Sequence, residues 1–169
     1  MKKMYFYRQG AKIIDEISLP ADVKVKKCIP HSYVDGMRDM NIGRKRILYH
    51  YFYSLLFRGW HRTFVEYDLV KKGMVICKAV LISKVPIYKF LPRKGVHLGY
   101  CETIESERGN GFYPLLLRYI QHENSGLDLY MIVEESNEAS IRGIEKAGLV
   151  RFAKGCKNDE GEFVISESL

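Results

Sequence analysis

Cysteine is scarce and scattered in this 169-residue chain. Cys28, Cys77, Cys101 and Cys156 lie far apart and form no C-x-x-C pair. That excludes a zinc ribbon or a disulfide framework as the organising device, and it points to a reducing, cytoplasmic setting. Long apolar runs are missing as well. The greasiest stretch, Ile47 to Phe57, is about 11 positions long and includes His50 and Ser54, against the roughly 20 residues that a bilayer crossing needs. The opening, Met1 to Arg8, is basic but lacks the apolar run of a secretory signal. There is no internal repeat and no low-complexity linker. What is present is ordinary for a folded chain: 47% hydrophobic and 28% charged residues, which excludes intrinsic disorder and leads us to expect a single domain over residues 1–169.

Lysine and arginine number 27 against 20 acidic residues, a formal charge of +7. The excess favours anionic partners: a phosphorylated cofactor, a nucleotide-linked substrate, nucleic acid or an acidic lipid surface. The basic runs, Lys24-Lys26-Lys27, Arg44-Lys45-Arg46 and Lys71-Lys72, are separated by strand-like segments. They read as solvated faces and not as a nucleic-acid stripe.

Periodicity gives the element order. Asp22 to Cys28 alternates as a first strand, and Arg44 to Arg58 carries the apolar stripe of a helix ending at Gly59. Strands follow at His61 to Leu69, Met74 to Ile82 and Val96 to Ile104, with a proline-containing loop at Val85 to Lys94. A helix from Phe112 to Asn124, a strand from Leu127 to Val133 and a helix from Asn137 to Ala147 complete a strand–helix–strand crossover. Val150 to Lys157 and Glu162 to Ser166 read as a closing hairpin. The fold class is α/β (α+β), a mixed, mostly antiparallel twisted sheet of about seven strands flanked by helices.

The most informative segment is Arg108-Gly109-Asn110-Gly111-Phe112-Tyr113, between a strand and a helix. Two glycines one residue apart let the backbone turn sharply and approach a ligand closely. The unpaired N–H groups at a helix start, with the helix dipole behind them, suit a pyrophosphate, and Arg108 adds a charged clamp. The same segment also reads as a plain glycine-rich connection. It is neither a Rossmann fingerprint nor a Walker A loop, since the third glycine of the one and the G-K-[ST] of the other are absent.

These residues resemble the acetyl-CoA-binding motif of the GNAT N-acetyltransferase superfamily, R/Q-x-x-G-x-G/A. Arg108 and Gly111 match it, and Tyr113 stands where the last small residue is usual. Downstream, Asn137 to Leu149 is similar to the family's second motif, N-x-x-A-x-x-x-Y-x-K-x-G-F. Asn137, Lys146 and Gly148 match, with Ser140 for alanine and Leu149 for phenylalanine. The resemblance covers Arg62 to the C-terminus well and the first 60 residues, the expected substrate-side cap, only loosely.

The resemblance implies a GNAT-like acyl-CoA N-acyltransferase fold and a cytoplasmic enzyme, monomer or homodimer, with acetyl-CoA as co-substrate. The reaction would be direct attack by a small amine, with no nucleic acid and no membrane span involved. It implies that Gly109, Asn110, Gly111, Phe112 and Tyr113 hold the pyrophosphate beside Arg108, that the strand through Cys101, Glu102 and Thr103 runs along the pantetheine, and that Asn137, Ser140 and Lys146 lie on the cofactor side. The tyrosine of the second motif, the usual general acid, is Ile144 here; Tyr130, Tyr113, Ser140 or a water could stand in. His97 reads either as the base that deprotonates the amine or as a packed core histidine. Strand parity puts His97 on one face with Gly99, Cys101 and Thr103, and Glu102 on the other, unless a bulge intervenes. Tyr113 reads as packing beneath its helix or as a hydroxyl reaching the cofactor. Cys101 reads as a small strand residue, with no His–Asp pair placed to make it a nucleophile.

Overall fold

The computed structural model describes residues 2–10, 17–28, 64–83 and 95–169. Eight strands among them form one sheet in the order β2-β3-β4-β5-β6-β1-β7-β8. They are β1 (Lys2–Gln9), β2 (Val23–Cys28), β3 (Phe64–Lys71), β4 (Met74–Ser83), β5 (Gly95–Thr103), β6 (Asp128–Glu134), β7 (Leu149–Lys157) and β8 (Phe163–Ser168). Two helices, α1 (Phe112–Glu123) and α2 (Glu138–Lys146), are described with them. Seven strands match the sequence reading, and the closing hairpin is β7–β8. The expected helix over Arg44 to Arg58 and the loop over Val85 to Lys94 lie outside the described residues.

The sheet accords with the expected mixed sheet of about seven strands; the strand that the sequence reading does not give is β1. β1 lies antiparallel to β6 on one side and to β7 on the other. Its side chains are apolar on both faces, with Met4 and Phe6 on one and Tyr5 and Tyr7 on the other. The hydrophobic–polar alternation that marks a half-buried strand is therefore absent from it.

α1 and α2 cover one face of the sheet. Leu116, Leu117 and Ile120 of α1 and Ile144 of α2 pack on Leu69, Ala79, Leu81, Leu98 and Leu129, all fully or almost fully buried. Tyr7, Glu145 and Arg151 tie α2 to β1 and β7: Tyr7 Oη donates to Glu145 Oε1 at 2.9 Å, and Arg151 pairs with the same carboxylate at 2.9 Å. The opposite face carries a smaller cluster of Met4, Phe6 and Ala153 flanked by Ile132, Phe152 and Ile165.

Candidate active site

β5 and β6 are parallel and paired over three residues only, the last being His97 opposite Tyr130. Beyond that point the strands part, and β5 bends. Tyr100 has φ +51°, a left-handed conformation rare for a side-chain-bearing residue, and the β4–β5 register slips between Lys78 and Val80. This is a β-bulge, and it reverses the parity of everything after it. Cys101 and Thr103 turn to the helix face, where the Thr103 hydroxyl donates to Cys77 Sγ at 3.2 Å. Glu102 turns to the opposite face and pairs with Lys78 at 3.1 Å. The expectation that His97 shares a face with Cys101 and Thr103 is thus corrected: His97 and Gly99 belong with Glu102.

The glycine turn follows. Arg108 Nε donates to the Thr103 carbonyl at 3.2 Å, using one of its five N–H donors and folding the turn back on the strand. Gly109 and Gly111 have φ of +82° and +80°, and a Cβ added to either would meet nothing within 4 Å. The angle, and not crowding, demands glycine there, and the space beside both is open. Asn110 is held by Glu107, which also takes Lys71 at 3.0 Å. The first intrahelical bond of α1 runs from Leu115 N–H to the Gly111 carbonyl. The N–H groups before Leu115 fall in the helix's first turn, where intrahelical acceptors are missing. An exposed turn with two left-handed glycines, free helix-start donors and an arginine fits a pyrophosphate.

Tyr113, in the first turn of α1, crosses to α2. Its ring lies on the backbone of Gly143, so closely that a Cβ there would fall well inside 3.0 Å of it. Its hydroxyl lies near the Cys101 thiol and the Ser140 side chain. Burial, then Cys101, holds the phenol well above its usual range, with Ser140 partly offsetting. Burial likewise pushes the Cys101 thiol up to about 12 and the Cys77 thiol to about 11. Both stay protonated near neutral pH, which removes Cys101 as a nucleophile.

His97 is buried on the face away from the helices, its ring over Gly99: a Cβ on Gly99 would lie 2.5 Å from the imidazole Cε1. Its neighbour Tyr130 is half-buried, stacked edge-on against Phe152 at 5.8 Å. Burial and then the Asp128 charge raise its phenol pKa, with Arg8 opposing. Further along the same face, past the bulge, a cavity of about 220 Å³ is lined by Glu66, Asp68, Lys78, Glu102 and Ile104 among others.

No family model and no curated protein matches this chain. Solved structures do. A GNAT-family acetyltransferase from Colwellia psychrerythraea superposes with TM-score 0.57 at 14% identity, over 91% of this chain and 54% of that one. AAC(6')-Ib in complex with paromomycin and acetyl-CoA superposes with TM-score 0.58 at 16% identity, over 85% and 91%. The chain has the GNAT fold. It spans about half the length of several of the structures it matches, including a tandem GNAT protein from the clavulanic acid biosynthesis pathway (TM-score 0.58, 12% identity, 51% of that chain).

Against the GNAT motifs, the structure brings Cys101, Tyr113 and Ser140 together at one place and sets Arg108, Gly109, Asn110, Gly111 and Phe112 beside it. Asn137, expected near the pantetheine, caps α2: its Oδ1 accepts from Ser140 N at 3.1 Å. Lys146 is not brought to the turn. It is exposed in the last turn of α2, next to Ala147, whose carbonyl accepts from Gln121 at 3.0 Å. Gln121 lies roughly 13 Å of helix beyond the start of α1. Ile144, at the usual tyrosine position, is 1% exposed and belongs to the core. Gly143 escaped the sequence reading because nothing in a single sequence shows which side chain rests on a helical glycine. The cavity residues Glu66, Asp68 and Lys78 escaped it because they sit on strands whose other face is core.

Proposed function

We propose that the chain is an N-acetyltransferase that moves an acetyl group from acetyl-CoA to a primary amine by direct attack in a ternary complex. The amine belongs to a small molecule (an amino sugar, possibly nucleotide-linked, a polyamine or an amino acid) or to a protein. The observation that carries the reading is the bulge at Tyr100 beside strands that part, next to the open glycine turn. Acetyl-CoA supplies a thioester carbonyl open to attack by a neutral amine. The N–H groups of Gly109 to Tyr113 hold the pyrophosphate, with Arg108 adding charge. Beyond the His97–Tyr130 pair, β5 and β6 share no ladder among the described residues, so β5 runs beside the gap. It offers hydrogen bonds to an extended amide arm and to an oxygen that gains negative charge. The acceptor approaches from the opposite face, where His97 takes up the amine proton; as the new C–N bond forms the C–S bond breaks, and Tyr130 gives its phenol proton to the departing CoA thiolate.

The test is thermal unfolding with and without acetyl-CoA. Ligand at 100 times its dissociation constant adds about 2.7 kcal/mol, a rise of several degrees for a chain of this size. Arg108→Ala and Gly111→Val should remove the rise. In a subsequent amine panel, His97→Ala should lower kcat by about 10²–10⁴. No rise at millimolar acetyl-CoA overturns the proposal. Ile144, buried where a phenol is usual, favours a second reading: a non-catalytic acyl-CoA-binding module, which predicts the thermal shift without turnover of any amine.

A further inference from the structure

Tyr113 occupies a position that the first motif reserves for glycine or alanine, and its side chain does more than fill space. It starts in the glycine turn. Its ring passes over Gly143 of α2, and its hydroxyl ends between Cys101 of β5 and Ser140 of α2. β5 is one wall of the gap between the parted strands, and α2 follows directly from β6, the other wall. The side chain therefore spans the helix-side mouth of the gap, between the turn that suits a pyrophosphate and the strand backbone that suits an amide arm.

We infer that Tyr113 is a gate: its side chain closes the route from the glycine turn into the gap and must rotate aside before an acyl-CoA is seated. The inference rests on the acyl-CoA reading above. Gly143 is its counterpart, because any side chain at that position would evict the ring. A closed gate lowers apparent affinity by the fraction of molecules that are open. Removing the ring, or pushing it out, should therefore tighten binding without adding any contact to the ligand. It should also uncover the Cys101 thiol, which now sits against the Tyr113 hydroxyl.

The experiment is calorimetric titration of CoA into the wild-type chain, Tyr113→Ala and Gly143→Ala, with iodoacetamide labelling of Cys101 followed by peptide mass spectrometry in the absence of CoA. Gly143→Ala keeps the tyrosine and replaces a helical glycine by a better helix former, so it carries the test if Tyr113→Ala fails to fold. Expected are a CoA dissociation constant about tenfold or more lower in both variants and Cys101 labelling at least several-fold faster. If the wild type binds CoA and the variants bind it equally or more weakly, the gate is wrong and the acyl-CoA reading stands. If none of the three binds CoA at millimolar concentration, that reading falls and the gate with it.

Discussion

Glycine serves two opposite purposes on either side of this site. In the turn, Gly109 and Gly111 hold left-handed angles with nothing around them; the backbone angle selects the residue and leaves room for a guest. In the packed walls, a side chain or a backbone group already stands where a Cβ would go: the His97 ring at Gly99, the Tyr113 ring at Gly143, and the Val164 carbonyl and Phe6 at Gly155. The first kind leaves open space beside the backbone, as it also does at Gly73 and Gly148. The second marks where the molecule has already filled itself, and two of the four occupants, His97 and Tyr113, are residues that the sequence singled out for chemistry.

Substitution separates the two kinds, and the largest effect belongs to Gly155. A Cβ there runs into the Val164 carbonyl, backbone that cannot yield without opening the β7–β8 hairpin. Gly155→Ala should cost about 3 kcal/mol, a fall of about 6–12 °C in Tm. Gly111→Val forces a β-branched residue to φ +80° and should cost about 2 kcal/mol. A loss below half of that in urea unfolding would mean that the turn relaxes to another shape. Gly99→Ala meets only the His97 ring, which can swing, so about 1 kcal/mol is expected. Its turnover should fall by more than its stability does; a change in stability alone would break the link between His97 and the reaction.

The smallest effect is a control away from the glycine turn, on the side of α2 that faces β1 and β7. Tyr7 first, then Arg151, lowers the Glu145 carboxyl below its usual 4.5. A depressed folded value means stabilisation that is present above pH 4.5 and lost as pH falls through the lowered one. The pair is largely exposed, so Glu145→Gln should cost under about 1 kcal/mol at pH 7, with the difference from wild type shrinking below pH 4.5. Urea midpoints at pH 7 and pH 3 measure it.

Much of this is legible in the sequence. The glycine turn, the crossover helix and the closing hairpin announce themselves through residues with few conformational options. The bulge does not, because a left-handed Tyr100 carries no sequence mark of the kind a glycine gives. That single residue decides which face His97, Cys101 and Glu102 occupy, so the face assignment failed where the strand itself was found. β1 was invisible for a related reason: doubly buried strands lose the polar beat that betrays a strand. The position of Tyr113 was legible and its reach was not, since reach depends on how α2 lies against α1.

The central place of β1 also bears on how the chain reaches this shape. The Tyr5 hydroxyl donates to the Glu135 carboxylate, 130 residues further along, and β7 joins the sheet only through β1. The strand is synthesised long before either neighbour exists and must wait, apolar on both faces, for partners from the far end of the chain. Such distant pairing slows folding and leaves the early segment exposed to wrong associations. Assembly of this sheet is therefore completed from its middle, with the last-made hairpin locking onto one of the earliest-made strands.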